Sequence, residues 1–171
     1  MVSGLVLVGA PGSGKSSVLE VLTSLLEVDR IAHAAIESEQ LARGWPLLDA
    51  EHWIAQLAAA LALQREAGRT LFLIAATTET AGELAGVLAA LDADRAFVVC
   101  LGASPEVVAA RIAKREPDHW PGKQRLIDHA RVLAAAMPLI DGIDLLIDTD
   151  QRHAGDVAAE VHAALIARRI T

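Results

Sequence analysis

The 171-residue chain has a single cysteine, Cys100, so it can form no internal disulfide. Within Phe97-Val98-Val99-Cys100-Leu101 that thiol reads as a small buried side chain on a strand. Long apolar runs are missing too. No stretch approaches the roughly 18 apolar residues that a membrane span requires, and no basic leader or small-residue cleavage site marks the start, so the expectation is a cytoplasmic protein without membrane contact. Positive charge is scarce, with 15 Lys and Arg against 22 Asp and Glu and a formal net charge of -7. That balance argues against a broad footprint on nucleic acid or anionic lipid, and any anionic ligand must find a local positive site. What the chain has in plenty is apolar surface. At 53% hydrophobic and 22% charged residues it can offset its chain entropy and fold, and its length suits one domain spanning residues 1–171.

Two periodicities alternate along the sequence. Leu5 to Val8 is a continuous apolar run that stops at Gly9, the pattern of a strand buried on both faces. From Lys15 onward Val18, Leu22 and Leu25 recur at helical spacing. Weaker apolar spacing over Ile31 to Ile36 predicts a second strand, followed by a helix capped by Asp49, with Trp53, Leu57 and Leu61 inward and Gly68 at its end. Leu71 to Ile74 and Phe97 to Leu101 are the third and fourth strands; the helix between them faces inward through Leu84, Val87, Leu88 and Leu91. Ser104-Pro105-Glu106 starts a helix running to about Arg115, with the serine as its capping oxygen, and a second helix runs from Lys123 to about Met137. Pro117 and Pro121 break the helix between them. Ile143 to Ile147 is the fifth strand, and Val157, Val161 and Leu165 line the last helix, with Arg168 and Arg169 at its negative end. Strands separated by helices throughout predict an α/β fold with a parallel sheet covered on both sides. Ligands of such sheets bind beyond the strands' carboxyl ends.

The segment Gly9-Ala10-Pro11-Gly12-Ser13-Gly14-Lys15-Ser16 meets the G-x-x-x-x-G-K-[ST] pattern in full, between a strand and a helix. Its glycines let successive backbone N–H groups converge on phosphate oxygens, and the helix aims its positive end at the same point. A side chain at Gly12 or Gly14 would obstruct that cradle. Lys15 brings a full charge to the β- and γ-phosphates, the Ser16 hydroxyl suits Mg²⁺, and Ser13 and Ser17 complete the candidate ATP contacts. Two absences narrow the class. Leu71 to Ile74 continues as Ala75-Ala76-Thr77-Thr78 rather than into an acid, unlike a hydrolysing motor, and Glu79 serves either the next helix's N-terminus or a metal. No Asn-Lys-x-Asp segment is present to read guanine.

With these residues the chain resembles the small P-loop kinases of the shikimate, gluconate and nucleotide kinase group. The resemblance implies a three-layer P-loop NTPase fold, a five-stranded parallel sheet of order 2-3-1-4-5 and a small lid at about residues 115–125. Glu37-Ser38-Glu39 stands where that group has an acidic pair, with glutamate in place of aspartate. By resemblance Glu37 helps hold Mg²⁺ through water and Glu39 takes a proton or hydrogen bond from the acceptor hydroxyl. Arg111 and Arg115 are four apart on one helical face, placed to stack on adenine or to neutralise charge on the transferring phosphoryl group. Arg43, Trp45, Asp49, His52 and Trp53 fall where related kinases place their acceptor site, although the register of Trp53 is that of a core residue. His119 and His129 read as surface residues. Asp148-Thr149-Asp150-Gln151 resembles the group's adenine-side loop or else caps the last helix.

These readings converge on an ATP- and Mg²⁺-dependent kinase acting on a small metabolite or nucleotide. Two other classes stay open: a regulatory nucleotide-binding module read by a protein partner, and a kinase of nucleic-acid ends, which the acidic charge counts against.

Overall fold

The structure is a computed structural model and describes residues 1–170. In chain order the elements are β1 (Ser3–Val8), α1 (Lys15–Val28), β2 (His33–Glu37), α2 (Ser38–Leu41), α3 (Ala50–Glu66), β3 (Leu71–Ala76), α4 (Ala81–Leu91), β4 (Arg95–Gly102), α5 (Pro105–Arg115), α6 (Lys123–Ala136), a 3₁₀ turn (Met137–Leu139), β5 (Leu145–Asp148) and α7 (Ala154–Ala167). The five strands pair in parallel in the order β2-β3-β1-β4-β5.

Because side chains alternate across a strand, each central strand feeds two cores. Val6, Val8, Phe72, Ile74, Val98 and Cys100 face one layer, closed by α3, α4, α5 and α6. Leu5, Leu7, Leu73, Phe97, Val99 and Leu101 face the other, closed by α1 and α7. The near-continuous apolar runs of β1, β3 and β4 thus report burial from both sides. Phe72 is fully buried near the start of β3, and the Arg65 guanidinium lies 5.1 Å from its ring centroid. Phe72→Ala is expected to cost about 3–5 kcal/mol. Urea unfolding monitored by circular dichroism measures this, and a loss below about 1 kcal/mol would mean that the layers close over the gap.

Several local expectations shift. β2 begins at His33 rather than Ile31 and continues through Glu37, where it still pairs with Ala75. One step on, the buried Ser38 hydroxyl donates to the Ala75 carbonyl at 3.0 Å, and α2 starts there, a turn too short to leave a periodic signal. β5 begins at Leu145 instead of Ile143, because the Asp144 carboxylate occupies the Val98 N–H at 2.8 Å just before the ladder starts. Asp49 caps α3 through the His52 N–H at 2.9 Å as expected. Ser104 takes the capping position of α5 without a side-chain cap bond; its own N–H donates to Asp150. Arg168 and Arg169 lie beyond the end of α7, and Arg168 stacks over Phe97 at 4.4 Å.

Candidate active site

At the carboxyl ends of the strands the loop between β1 and α1 wraps around the first turn of α1. Gly12 and Gly14 have φ of 84° and 100°, the left-handed region that a glycine adopts without a Cβ clash. Their constraints differ. A Cβ at Gly12 would stand 3.0 Å from the Val108 carbonyl of α5, whereas a Cβ at Gly14 meets no protein atom within 4 Å. Within the protein, backbone conformation alone demands glycine at position 14, which refines the expectation of an obstructing side chain. Ser13 is buried and lines the cavity, and its hydroxyl has no protein partner.

Lys15 opens α1 with its ammonium folded back over the loop. It donates to the Gly9 carbonyl at 2.6 Å and to that of Ala10 at 3.3 Å, leaving one of three N–H bonds uncommitted. Burial is the main cause that lowers its pKa to about 8, against the pull of Glu39 and Glu37. Cys100 lies beneath, fully buried, and burial pushes its thiol up to about 11, an unreactive state.

Across the loop, the half-buried Glu37 at the end of β2 accepts from the Ser16 hydroxyl at 2.9 Å. Two hard oxygens therefore stand side by side at the start of α1. No three His, Cys, Asp or Glu side chains gather into a metal centre among the described residues. This sparse donor set fits Mg²⁺, which keeps water and substrate phosphate oxygens for most of its shell. Glu39, on the first turn after β2, accepts from the Thr77 N–H at 2.7 Å, so the end of β3 fixes one carboxylate oxygen.

These groups line one cavity of about 840 Å³, together with Ser17, Gln40, Arg43, Thr77, Arg111, Arg115, Glu116, Thr149 and Arg152. Five cations against three carboxylates in its wall supply the local positive site that an acidic chain requires. Arg111 turns one edge of its guanidinium to the protein: Nη1 donates to the Gly12 carbonyl at 3.2 Å and to the Thr149 hydroxyl at 3.1 Å, and Nη2 donates to the Thr149 carbonyl at 2.7 Å. Arg115, one turn on and more than half exposed, pairs with Glu116 at 2.7 Å. The following non-helical segment, 116–122, is anchored by Lys123, whose ammonium donates to the carbonyls of Ala113 and Glu116 and to Asp118.

Other sequence candidates lie elsewhere. Of the five on the acceptor side only Arg43 lines the cavity. Trp45 is 90% exposed, Asp49 and His52 form an exposed pair, and the Trp53 indole donates to the Ser38 carbonyl at 3.1 Å. Glu79 bonds His129 at 2.8 Å, away from Ser16 and Glu37, and Thr80 caps α4 in its place. Asp148 and Asp150 do not cap α7, whose capping position is His153. Thr149 is the residue that sequence reasoning left without a role of its own.

A phosphate-type loop after the first strand, the sheet order and a cavity at the strands' carboxyl ends define the class as P-loop proteins with the architecture of the small kinases. The AAA domain family matches residues 5–136, and the chain belongs to it. No curated protein matches the chain. Among solved structures it is similar to the Mycobacterium tuberculosis APS kinase in complex with AMPPNP and APS, at 18% identity and TM-score 0.69, over 96% of this chain and 97% of that one. It is also similar to a gluconokinase from Sinorhizobium meliloti, at 21% identity and TM-score 0.62, over 96% and 92% of the two chains. A shikimate kinase from Acinetobacter baumannii in complex with shikimate gives 18% identity and TM-score 0.61, over 100% and 97%. At such identities the likeness establishes the fold.

Proposed function

We propose that the protein is an ATP-dependent phosphotransferase that moves the γ-phosphoryl group to a hydroxyl or phosphate of a small metabolite or nucleotide. The observation that carries this reading is the convergence of Lys15, the Ser16–Glu37 oxygen pair and Glu39 on one cavity. In this reading the loop N–H groups and the α1 N-terminus bind the phosphates, and Lys15 adds the full charge. Ser16 and Glu37 would hold Mg²⁺, which when bound neutralises charge on the phosphate oxygens. Glu39, oriented by Thr77, faces the acceptor and takes its proton or hydrogen bond. Arg115 is the exposed cation of its pair, able to leave the partly buried Glu116 for the transferring group, and the segment at about 115–125 serves as the lid that excludes water. Gln40 and Arg43 favour a polar acceptor.

ADP formation in the presence of Mg²⁺ tests the proposal, with nucleosides, nucleoside monophosphates, sugars and hydroxy acids as acceptors and Lys15→Ala protein as the control. Acceptor-dependent turnover lost in the control supports it. Tight ATP binding with no stimulation by any acceptor class would favour the regulatory module instead.

The lowered Lys15 pKa makes nucleotide binding sensitive to alkali. Phosphate needs the ammonium form, so raising the pH through about 8 makes binding progressively weaker. Calorimetric ATP affinity is expected to fall up to about tenfold between about pH 7 and about pH 9, and to stay flat in Lys15→Met. A flat profile in the unmodified protein would separate Lys15 from the phosphates.

A further inference from the structure

We propose that Thr149 is a positioning residue for the phosphate loop: its buried hydroxyl, gripped by Arg111, sets the direction of the Gly14 N–H. The proposal rests on the nucleotide-binding reading of the site, and its own evidence is a closed set of hydrogen bonds on the side of the loop opposite Glu37.

Thr149 lies just past β5, is 3% exposed and bonds to three other parts of the chain at once, the end of β4, the phosphate loop and α5. Its N–H donates to the Gly102 carbonyl at the end of β4, at 2.8 Å. Its hydroxyl proton lies between the same Gly102 carbonyl at 3.0 Å and the Ser13 carbonyl at 3.1 Å. The hydroxyl oxygen accepts from Arg111, which also binds the Thr149 and Gly12 carbonyls. A threonine hydroxyl has one donor and two acceptor sites, and here its donor is confined between two backbone oxygens by a cation on the other side.

A planar trans peptide holds the carbonyl of one residue opposite to the N–H of the next. Tying the Ser13 carbonyl to Thr149 therefore fixes the Gly14 N–H on the opposite side of the peptide plane. The preceding peptide is fixed at both ends: Arg111 holds the Gly12 carbonyl, and the Ser13 N–H closes a turn onto the Ala10 carbonyl at 3.0 Å. Gly14 has a positive φ and no protein atom near a would-be Cβ, and of its two backbone groups the carbonyl is already held by the Val18 N–H at 2.9 Å. Holding the preceding carbonyl as well makes its N–H ready for an anion rather than ordered by it, because preorganised donors cost no rearrangement at binding. Between them the two Nη atoms of Arg111 donate to the Gly12 and Thr149 carbonyls and to the Thr149 hydroxyl, so that edge of the guanidinium acts on the loop through Thr149.

Thr149→Val keeps the shape and removes the hydroxyl; Thr149→Ser restores it. MgATP affinity by calorimetry, the Gly14 amide resonance of the free proteins and thermal midpoints are measured for both and for the unmodified chain. The expected result is at least about tenfold weaker MgATP binding and a displaced Gly14 resonance in the valine variant, with the serine variant within about threefold of the unmodified protein. Should the valine variant not fold, Thr149→Ala removes the same hydroxyl and is read in its place. A lowered thermal midpoint with unchanged affinity and an unmoved Gly14 resonance would overturn the proposal and leave Thr149 a packing residue. If the unmodified protein binds no MgATP, the phosphotransferase reading fails, while the Gly14 resonance still decides whether Thr149 sets the loop.

Discussion

Lys15→Ala is expected to reduce phosphoryl transfer by about 1000-fold or more and to weaken MgATP binding by about 10- to 100-fold. Lys15 is the only cation that the phosphate loop itself contributes, and it is buried against the carbonyls of Gly9 and Ala10. Burial strengthens its field at the phosphates because little water screens it. Arg111 is a poor substitute, since both its Nη atoms already donate to Gly12 and Thr149, and Arg115 sits on the exposed end of α5. The larger loss belongs to turnover, because charge on the transferring group matters most in the transition state. Steady-state kinetics with calorimetric binding separates the two effects. Transfer within tenfold of the unmodified protein would remove Lys15 from the proposed chemistry.

Glu39→Gln is expected to lower turnover by about 100- to 10,000-fold while ATP affinity changes by less than about threefold. The substitution is nearly isosteric, and the glutamine carbonyl oxygen can keep the Thr77 N–H bond that orients the side chain. What disappears is the second carboxylate oxygen as an acceptor for the proton of the attacking hydroxyl. Glu37→Gln makes the informative contrast, because Glu37 bonds Ser16 and its change falls on the Mg²⁺ dependence. Equal effects of both substitutions on ATP affinity, with turnover of the Glu39 variant preserved, would move Glu39 from the acceptor side to the nucleotide side.

How much of this was legible in the sequence follows from the range over which each signal acts. β1, β3 and β4 announce themselves because Leu5 to Val8, Leu71 to Ile74 and Phe97 to Leu101 are apolar on both faces, and the phosphate loop because its residues are adjacent. β2 is blurred since it lies at the sheet edge, where His33 and Ala35 face outward and need not be large or apolar. The acidic pair was placed only through the kinase resemblance; nothing in Glu37-Ser38-Glu39 alone announces that one carboxylate meets Ser16 and the other Thr77. Arg111 lines the cavity, but its bonds inside the protein leave no trace in the local sequence. Its helical spacing from Arg115 points to the cavity, but its principal partner, Thr149, is 38 positions away in sequence. Thr149 itself sits among aspartates that offer a nearer explanation as a helix cap, which the start of α7 at Ala154 removes.

The two arginine-covered phenylalanines give the sheet a polarity of its own. Phe72 and Phe97 lie early in β3 and β4 and point to opposite layers, one under Arg65 of α3, the other under Arg168 beyond α7. Each guanidinium lies over a ring face, and that of Arg65 also donates to the Leu91 and Asp92 carbonyls, so both cores are sealed toward the amino ends of the strands, away from Lys15. That end is a foundation: it holds the strands in register without contributing to binding. The opposite end is freed from that duty, so the segments after β2, β3, β4 and β5, which surround the cavity, can diverge in length and chemistry while the foundation stands unchanged.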